Sequence, residues 1–304
     1  MTKIISDEAI NRRNIWVEKI DKSQGKFASN SELFETELGK ELEQNDLDCL
    51  LNHLRLCGNI PESYGHDTSE EKQYSKYTDS LLSFAYKSMG LKSLVIAERA
   101  DVADVEGFGK DFSFVADAKA FRLSRSAKNQ KDFKVQAMDR WKHGKKYAMV
   151  VCPIYQLPTR NSQIYEQAIT RNVCVFTYSH LSLLVRYANE ISKEKSESLL
   201  YDIFKTIPAL NPTKSAVDYW LAVNKTILGH SKSIFELWQD EKIAATESIE
   251  IAKIEALKYL SSEREKIMRM THAEALKALV KASKIDSKIR IINSISDNGL
   301  FGIK

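Results

Sequence analysis

The chain has 304 residues, 43% of them hydrophobic and 28% charged, with a formal net charge of +4. That balance belongs to a globular protein with room for one large domain or a domain with a sizeable extension. Only 5 Pro and 11 Gly are present, too few for an all-β sandwich or a long disordered linker, and no run of about 18 apolar residues marks a membrane span.

The N-terminus, MTKIISDEAINRRN, is polar and contains acids. It lacks the apolar core of a signal peptide, so the cytoplasm is the expected compartment. The four cysteines, Cys49, Cys57, Cys152 and Cys174, form no CxxC pair. They are expected to be reduced, mostly buried small hydrophobes rather than zinc ligands.

Helical periodicity dominates the first ninety or so residues. Asn30 or Ser31 is placed to cap a helix carrying Leu33, Leu38, Leu42, Leu47, Leu50 and Leu54, with Gly58 and Pro61 ending it. Thr68 and Glu71 fit a capping box, opening a helix with Tyr74, Tyr77, Leu81, Phe84 and Ala85 at three- and four-residue spacing. Four short apolar segments then read as strands: SLVIAE (93–98), FSFVADA (112–118), YAMVVC (147–152) and NVCVFTY (172–178). Helical or mixed segments separate the last three, which predicts an α/β core with a mixed sheet. Beyond Ser179 the chain reads almost wholly helical. Residues 240–269 form a long amphipathic run with Ile243, Ile249, Ile254, Leu257 and Leu260, and Thr271 to Glu274 is a second capping box. Trp16, Trp141, Trp220 and Trp238 are expected to pack in the interior rather than to serve as ligand platforms.

The chemistry concentrates in FVADAKAFRLSRSAKNQKDFK, residues 114–134. A strand alternates its faces, so Asp117 and Lys119 project from the same side with Cα atoms about 6.7 Å apart. A carboxylate can bind a hard divalent cation. An ammonium beside it can orient attacking water and offset charge on a phosphodiester transition state. Four other acid-x-Lys triplets occur, at 70–72, 132–134, 240–242 and 286–288. Those lie in helical or polar contexts, where residues two apart diverge by about 200° on a helix. One carboxylate holds magnesium poorly. Asp104, thirteen residues upstream of Asp117, is the candidate second acid through a hairpin-like return, with Asp101 and Glu106 as alternatives.

A positive charge follows at every third position: Arg122, Arg125, Lys128, Lys131 and Lys134. Residues 117–146 hold ten Lys or Arg against three Asp, a local +7 on a chain whose remainder is slightly acidic. A period of three drifts by about 60° per step on a helix, so the segment reads instead as an extended or looping stretch entering a groove. Asn129 and Gln130 are of the type that reads adenine edges, Arg and Lys of the type that reads guanine. A local polyanion partner is the expectation.

These residues resemble the active-site region of the HindIII-type type II restriction endonucleases. Tyr155, Pro158, Thr159, Ser162, Gln163 and Ile164 of a YxxPTxxSQI pattern are also similar to that family, as is IPESYGHDTSEEKQYSK (60–76). The likeness runs from about residue 55 to about residue 185, and the flanking parts match only in helical character. The resemblance implies a PD-(D/E)xK nuclease, with a central mixed sheet flanked by helices and helical N- and C-terminal parts. It implies an N-terminal helical region over 1–62, a nuclease core over 63–185 and a helical subdomain over 186–304, which together could form one continuous domain. It implies Asp104 and Asp117 as the acids, Lys119 as the lysine, and Mg²⁺ held by Asp104, Asp117 and the Ala118 carbonyl. Ala103 stands where the generic motif has proline, and the 104–117 gap is slightly short, which keeps Asp101 open. Glu71 has two readings, a capping-box residue or a further metal-binding acid. Arg122, Ser124, Arg125, Lys128, Asn129, Gln130, Lys131 and Lys134 are the candidate DNA-binding residues.

The implied activity is Mg²⁺-dependent cleavage of double-stranded DNA within the palindrome AAGCTT, leaving 5′-phosphate ends, by a homodimer. Neither a nucleotide cofactor nor a membrane partner is expected. Two other readings share the scaffold: a DNA-binding protein without activity, and a repair-type nuclease that reads structure rather than sequence.

Overall fold

A computed structural model of the chain describes residues 3–23, 27–96, 102–125 and 130–294. The chain divides into two compact units, Met1–Ala256 and Leu257–Lys304.

The first unit is built around a five-stranded mixed sheet. Helices α1 (Asp7–Lys22), α2 (Phe27–Gln44), α3 (Leu47–Leu56) and α4 (Ser69–Ser88) precede it. Three strands, β1 (Lys92–Val95), β2 (Val105–Phe108) and β3 (Ser113–Ala118), then form an antiparallel meander. Helix α5 (Val135–Trp141) crosses to β4 (Tyr147–Cys152), and α6 (Gln163–Thr170) crosses to β5 (Val173–Thr177). Both β4 and β5 run parallel to β3. The parallel half needs its helical crossovers because a tight turn cannot join parallel strands. Every residue of β4 and β5 is buried, which explains why they read as continuous apolar runs rather than alternating ones. Helices α7 (Tyr178–Glu190), α8 (Lys193–Ala209), α9 (Ala216–His230) and α10 (Ile234–Met268) follow.

Four elements differ from the sequence reading. The long helix expected from Asn30 or Ser31 to Leu54 is two helices. Both residues fall inside α2, and the chain breaks at Asn45, where Asp46 turns extended and its side chain accepts the Cys49 amide at 3.3 Å to start α3. That local cap competes with helix continuation. The expected hairpin return from 104 to 117 contains a strand of its own, β2. It is only four residues long and includes Gly107, so its signal was too weak to read. Of SLVIAE, only the part up to Val95 is strand, and residues 97 and 98 lie outside the described residues. Along α10, the first unit buries Ile234, Leu237, Glu241, Ala244, Ala252 and Ala256, while Ile254 is exposed. Alanine permits close approach of helices, so the small-residue side turns inward in place of the expected aliphatic one.

The sheet is held by aromatic packing. Phe114 on β3 meets Tyr86 of α4 at 4.9 Å between ring centroids and Phe204 of α8 at 5.0 Å. Trp16 and Trp141 are buried, Trp220 and Trp238 pack against the same core, and all four cysteines are buried and free. No helix among the described residues is long and apolar enough to cross a membrane.

The second unit contains α11 (His272–Ala282) and α12 (Ile285–Asn293). The expected capping box is present: Thr271 accepts the Glu274 amide, and the Glu274 carboxylate accepts the Thr271 amide at 2.8 Å. Leu257, Leu260, Leu276, Leu279, Ile289 and Ile292 are all exposed.

Gly107 is where β2 makes room for the Phe114 ring, which a Cβ there would overlap. Gly107→Ala is therefore expected to destabilise the protein by about 1–3 kcal/mol, the usual cost of overpacking a filled core. Urea unfolding measures it, and an unchanged midpoint would contradict this packing.

Candidate active site

The register of the meander brings two acids together. Val105 pairs with Ala116, and one antiparallel step further along the ladder sets Asp104 opposite Asp117. The Ile96 amide bonds to the Asp104 carbonyl at 2.8 Å, holding that end of the hairpin. On its other side Asp117 pairs with Val150 and Ala118 with Val151, and the Lys119 amide bonds to the Val151 carbonyl at 2.7 Å. Asp117, Ala118 and Lys119 therefore sit at the end of a central strand, fixed from both sides. Asp101 lies outside the described residues. Glu106 is paired with Lys145 at 2.7 Å.

Asp117 is completely buried, and its Oδ2 faces the Lys119 ammonium. Neither Asp117 oxygen has a hydrogen bond of good geometry, and Oδ1 of a second buried acid, Asp79, lacks a partner too. Asp79 stands on α4, a helix that packs across β1, β2 and β3. The Lys76 ammonium lies between Asp79 (3.5 Å) and Asp104 (3.2 Å). Asp79, Asp104 and Asp117, with Lys76 and Lys119, form one charged cluster. The sequence reading missed Asp79 and Lys76. Their one local signal was the i, i+3 Lys–Asp spacing on a helix, which is common on solvated faces. Only the packing of α4 on the meander distinguishes this pair.

The acids differ in how they hold protons. Burial pushes Asp117 up to about 6, against the pull of Lys119, with the Asp104 charge adding to the rise. Burial, then the Asp104 charge, raises Asp79 well above the carboxylate range. Burial opposes ionisation of Asp104 as well, but hydrogen bonding with Asp117 and the Lys76 and Lys119 charges hold it below the usual value. Burial disfavours the Lys119 ammonium, yet Asp117 and Asp104 more than offset this, so its pKa is raised. Two buried carboxylates with raised proton affinity and incomplete hydrogen bonding, Asp79 and Asp117, beside Asp104 are a donor set suited to a hard divalent cation, which prefers oxygen ligands.

Glu71 is placed differently. Its carboxylate accepts the Asp67 amide at 2.7 Å and lies 3.4 Å from the Arg122 guanidinium, while Thr68 accepts the Glu71 amide at 3.3 Å. This is a variant of the expected capping box in which the carboxylate bonds one residue before the cap. Glu71 precedes Asp79 by eight residues on α4, roughly 12 Å along the axis. Among the described residues, two three-residue groups of potential metal donors also occur: His66, Asp67 and Glu71, and Glu41, Cys49 and His53. In the second group the Glu41 oxygens are already taken by Trp16 at 2.6 Å and Arg12 at 3.3 Å.

Over residues 120–125 the basic segment leaves Lys119 as a loop, and residues 126–129 of the expected looping stretch lie outside the described residues. Phe121 bridges to Asn59, Leu123 and Ser124 turn, and a short 3-10 turn spans Gln130–Phe133 before α5. Arg122 bonds to the Tyr64 carbonyl, and Arg125 pairs with Asp132 at 2.7 Å and stacks 5.1 Å above Phe121. Lys134 adopts a left-handed backbone (φ 48°) at the start of α5, its ammonium 5.2 Å from the Trp141 ring centroid. Lys131 is exposed. Lys128, Asn129 and the Gln130 side chain lie outside the described residues.

An acid whose folded pKa exceeds its unfolded value holds its proton more tightly when folded. Ionising Asp117 thus costs the metal-free fold nothing below about pH 4, progressively more as pH rises to about 6, and its full penalty above that. Asp117→Asn is expected to raise the melting temperature of the metal-free protein at about pH 8, with the gain fading toward about pH 4.5. Calorimetry at both pH values checks this; a gain that is equal at both would contradict it.

The family model of the HindIII restriction endonuclease matches residues 13–296. A relative, the type II restriction enzyme HindIII of Haemophilus influenzae, is 33% identical over 250 residues, covering 79% of this chain and 81% of its own length. With the match spanning sheet, acid cluster and basic segment alike, the chain belongs to the HindIII restriction endonuclease family, a family of site-specific endonucleases.

Proposed function

We propose that the protein cleaves double-stranded DNA with Mg²⁺ at the cluster formed by Asp79, Asp104, Asp117 and Lys119, within AAGCTT, leaving 5′-phosphate ends. The observation that carries this reading is the fully buried Asp117, neither of whose oxygens has a hydrogen bond of good geometry, opposite Asp104 and beside Lys119. Asp104, Asp117 and the Ala118 carbonyl would hold the metal, with Asp79 as the helical acid of the set. A bound Mg²⁺ supplies Lewis-acid polarisation of the scissile phosphate. Lys119, kept protonated by its two acids, is a poor base. It orients the attacking water and offsets the charge that builds on phosphate in the transition state. Arg122, Ser124, Arg125 and the stretch from Lys128 to Lys134 set the duplex against this edge, with phosphate contacts positioning it and base contacts specifying the sequence.

The relative's name speaks of a type II restriction enzyme, and AAGCTT is self-complementary. Reading such a site on both strands calls for two-fold symmetry, and hence a homodimer. The helices over 179–304 are the proposed dimer surface. The exposed aliphatics of the second unit (Leu257, Leu260, Leu276 and Leu279 among them) support this, since such side chains gain from being covered. Residues 63–185 would form the nuclease core, working in the cytoplasm.

Asp117→Asn is expected to lower Mg²⁺-dependent plasmid cleavage by roughly a thousandfold or more and to leave binding to an AAGCTT duplex intact. Normal cutting by this variant would overturn the site. Asp79→Asn should cost roughly ten- to a hundredfold and Glu71→Gln much less; the reverse order, read from the same digests, would make Glu71 the helical acid.

A further inference from the structure

Among the motifs that nuclease chemistry leaves without a task are IPES, which contains Glu62, and Tyr155-Gln156 after β4. Both converge on the start of the basic segment. The Glu62 carboxylate accepts two hydrogen bonds from one residue, the Ser124 amide at 2.8 Å and the Ser124 hydroxyl at 2.6 Å. Gln156 donates to the carbonyls of Arg122 and Arg125, each at 3.4 Å. The Tyr155 hydroxyl reaches the Phe121 carbonyl at 2.8 Å and the Gly58 carbonyl at 2.9 Å. The Phe121 amide bonds to the Gly58 carbonyl at 3.0 Å, and the Ile60 amide to the Phe121 carbonyl at 3.3 Å. At Gly58 the Pro153 ring packs so closely that a Cβ would meet the Cβ of Pro153 at 2.9 Å.

We infer that Glu62 is a positioning residue for DNA recognition: it braces Ser124 and so fixes the course of residues 121–125 between Lys119 and the rest of the basic segment. The inference rests on the reading of that segment as the DNA-binding element. A competing role has physical force. A half-buried carboxylate on a hydroxyl and an amide of a DNA-facing loop could stand where a phosphate stands in the complex, and leave when DNA arrives. Geometry favours the brace. Both acceptor oxygens are engaged on a single residue, and the same turn is also held by Gln156 at the Arg122 and Arg125 carbonyls and by Tyr155 at the Phe121 carbonyl. The loop is thus fixed by three side chains that reach it from two segments, as expected of a recognition element that must be preorganised to within about 0.5 Å. Arg122 adds to it by turning inward to the Tyr64 carbonyl and Glu71.

The test compares Glu62→Ala with Glu62→Gln. The glutamine preserves both contacts by accepting from the amide and donating to the hydroxyl, and removes only the charge. Binding to a duplex carrying AAGCTT and to a scrambled duplex is followed by fluorescence anisotropy with Ca²⁺ in place of Mg²⁺, beside melting temperatures. The brace predicts that Glu62→Ala weakens binding to the AAGCTT duplex by roughly ten- to a hundredfold, the cost of a misplaced contact element. Scrambled-duplex binding and melting temperature stay unchanged, and Glu62→Gln returns affinity to within a fewfold of wild type. Tighter binding by both variants would overturn the brace in favour of the phosphate stand-in. Unchanged binding by Glu62→Ala would overturn it as well, provided Lys134→Ala weakens binding to both duplexes. If Lys134→Ala also changes nothing, the DNA-binding reading of the segment falls, and the brace with it.

Discussion

A carboxylate with no access to solvent sits at the end of a central strand, and the arrangement around it follows from the need to offset that burial. Asp117 is sequestered between β2 and β4 with one cation against it and neither oxygen properly hydrogen-bonded. In an apolar interior an isolated carboxylate would simply take up a proton. Here the meander sets a second acid opposite it, α4 adds a third, and Lys76 and Lys119 divide the attraction among them. Such a cluster costs stability in the absence of a cation and gains from one, which is the reverse of what a purely structural ion pair does. The proposed metal function accounts for that cost.

The same strand also fixes what lies downstream. Lys119 keeps the β3–β4 ladder going through its amide, and two residues later Phe121 enters a second backbone pairing with Asn59 and Gly58. No slack separates the charged cluster from the basic segment. On the proposed reading, a duplex aligned by that segment is thereby aligned on the acids, without a hinge between recognition and cleavage. The arginines nearest the cluster are committed within the protein, Arg122 to Tyr64 and Glu71, and Arg125 to Asp132 and Phe121. On the proposed reading they shape the loop as well as meeting the duplex, and Lys131 and Lys134 are exposed residues of the same segment.

Much of this was legible before the fold was known, and the exceptions have physical reasons. The order of β3, β4 and β5 and their crossovers followed from buried apolar runs separated by helical segments. Asp117 and Lys119 stood out because two-residue spacing on a strand puts both on one face, and Asp104 because a return of thirteen residues can form a hairpin. Asp79 was invisible: its neighbours Thr78 and Ser80 are buried polar residues that read as a solvated helix face, and its place in the charged cluster comes only from where α4 lies. Glu71 looked equivalent by residue type; it lies eight positions from Asp79 on α4, and its carboxylate meets the Asp67 amide and the Arg122 guanidinium. The break between α2 and α3 was set by a single capping side chain, Asp46, within a leucine pattern that continued across it. The inward face of α10 was misjudged because periodicity weighs large aliphatics above alanine, whereas close helix packing selects alanine.

Manganese, a paramagnetic substitute for magnesium at oxygen sites, tests the central claim most directly. Loss of the free Mn²⁺ resonance is measured by electron paramagnetic resonance as the metal is titrated into wild type, Asp79→Asn and Asp117→Asn, each with bound duplex. If Asp79, Asp104 and Asp117 hold the metal, wild type binds the ion, Asp79→Asn binds it more weakly, and Asp117→Asn loses it. Mn²⁺ binding of equal stoichiometry and affinity in wild type and Asp117→Asn would contradict it.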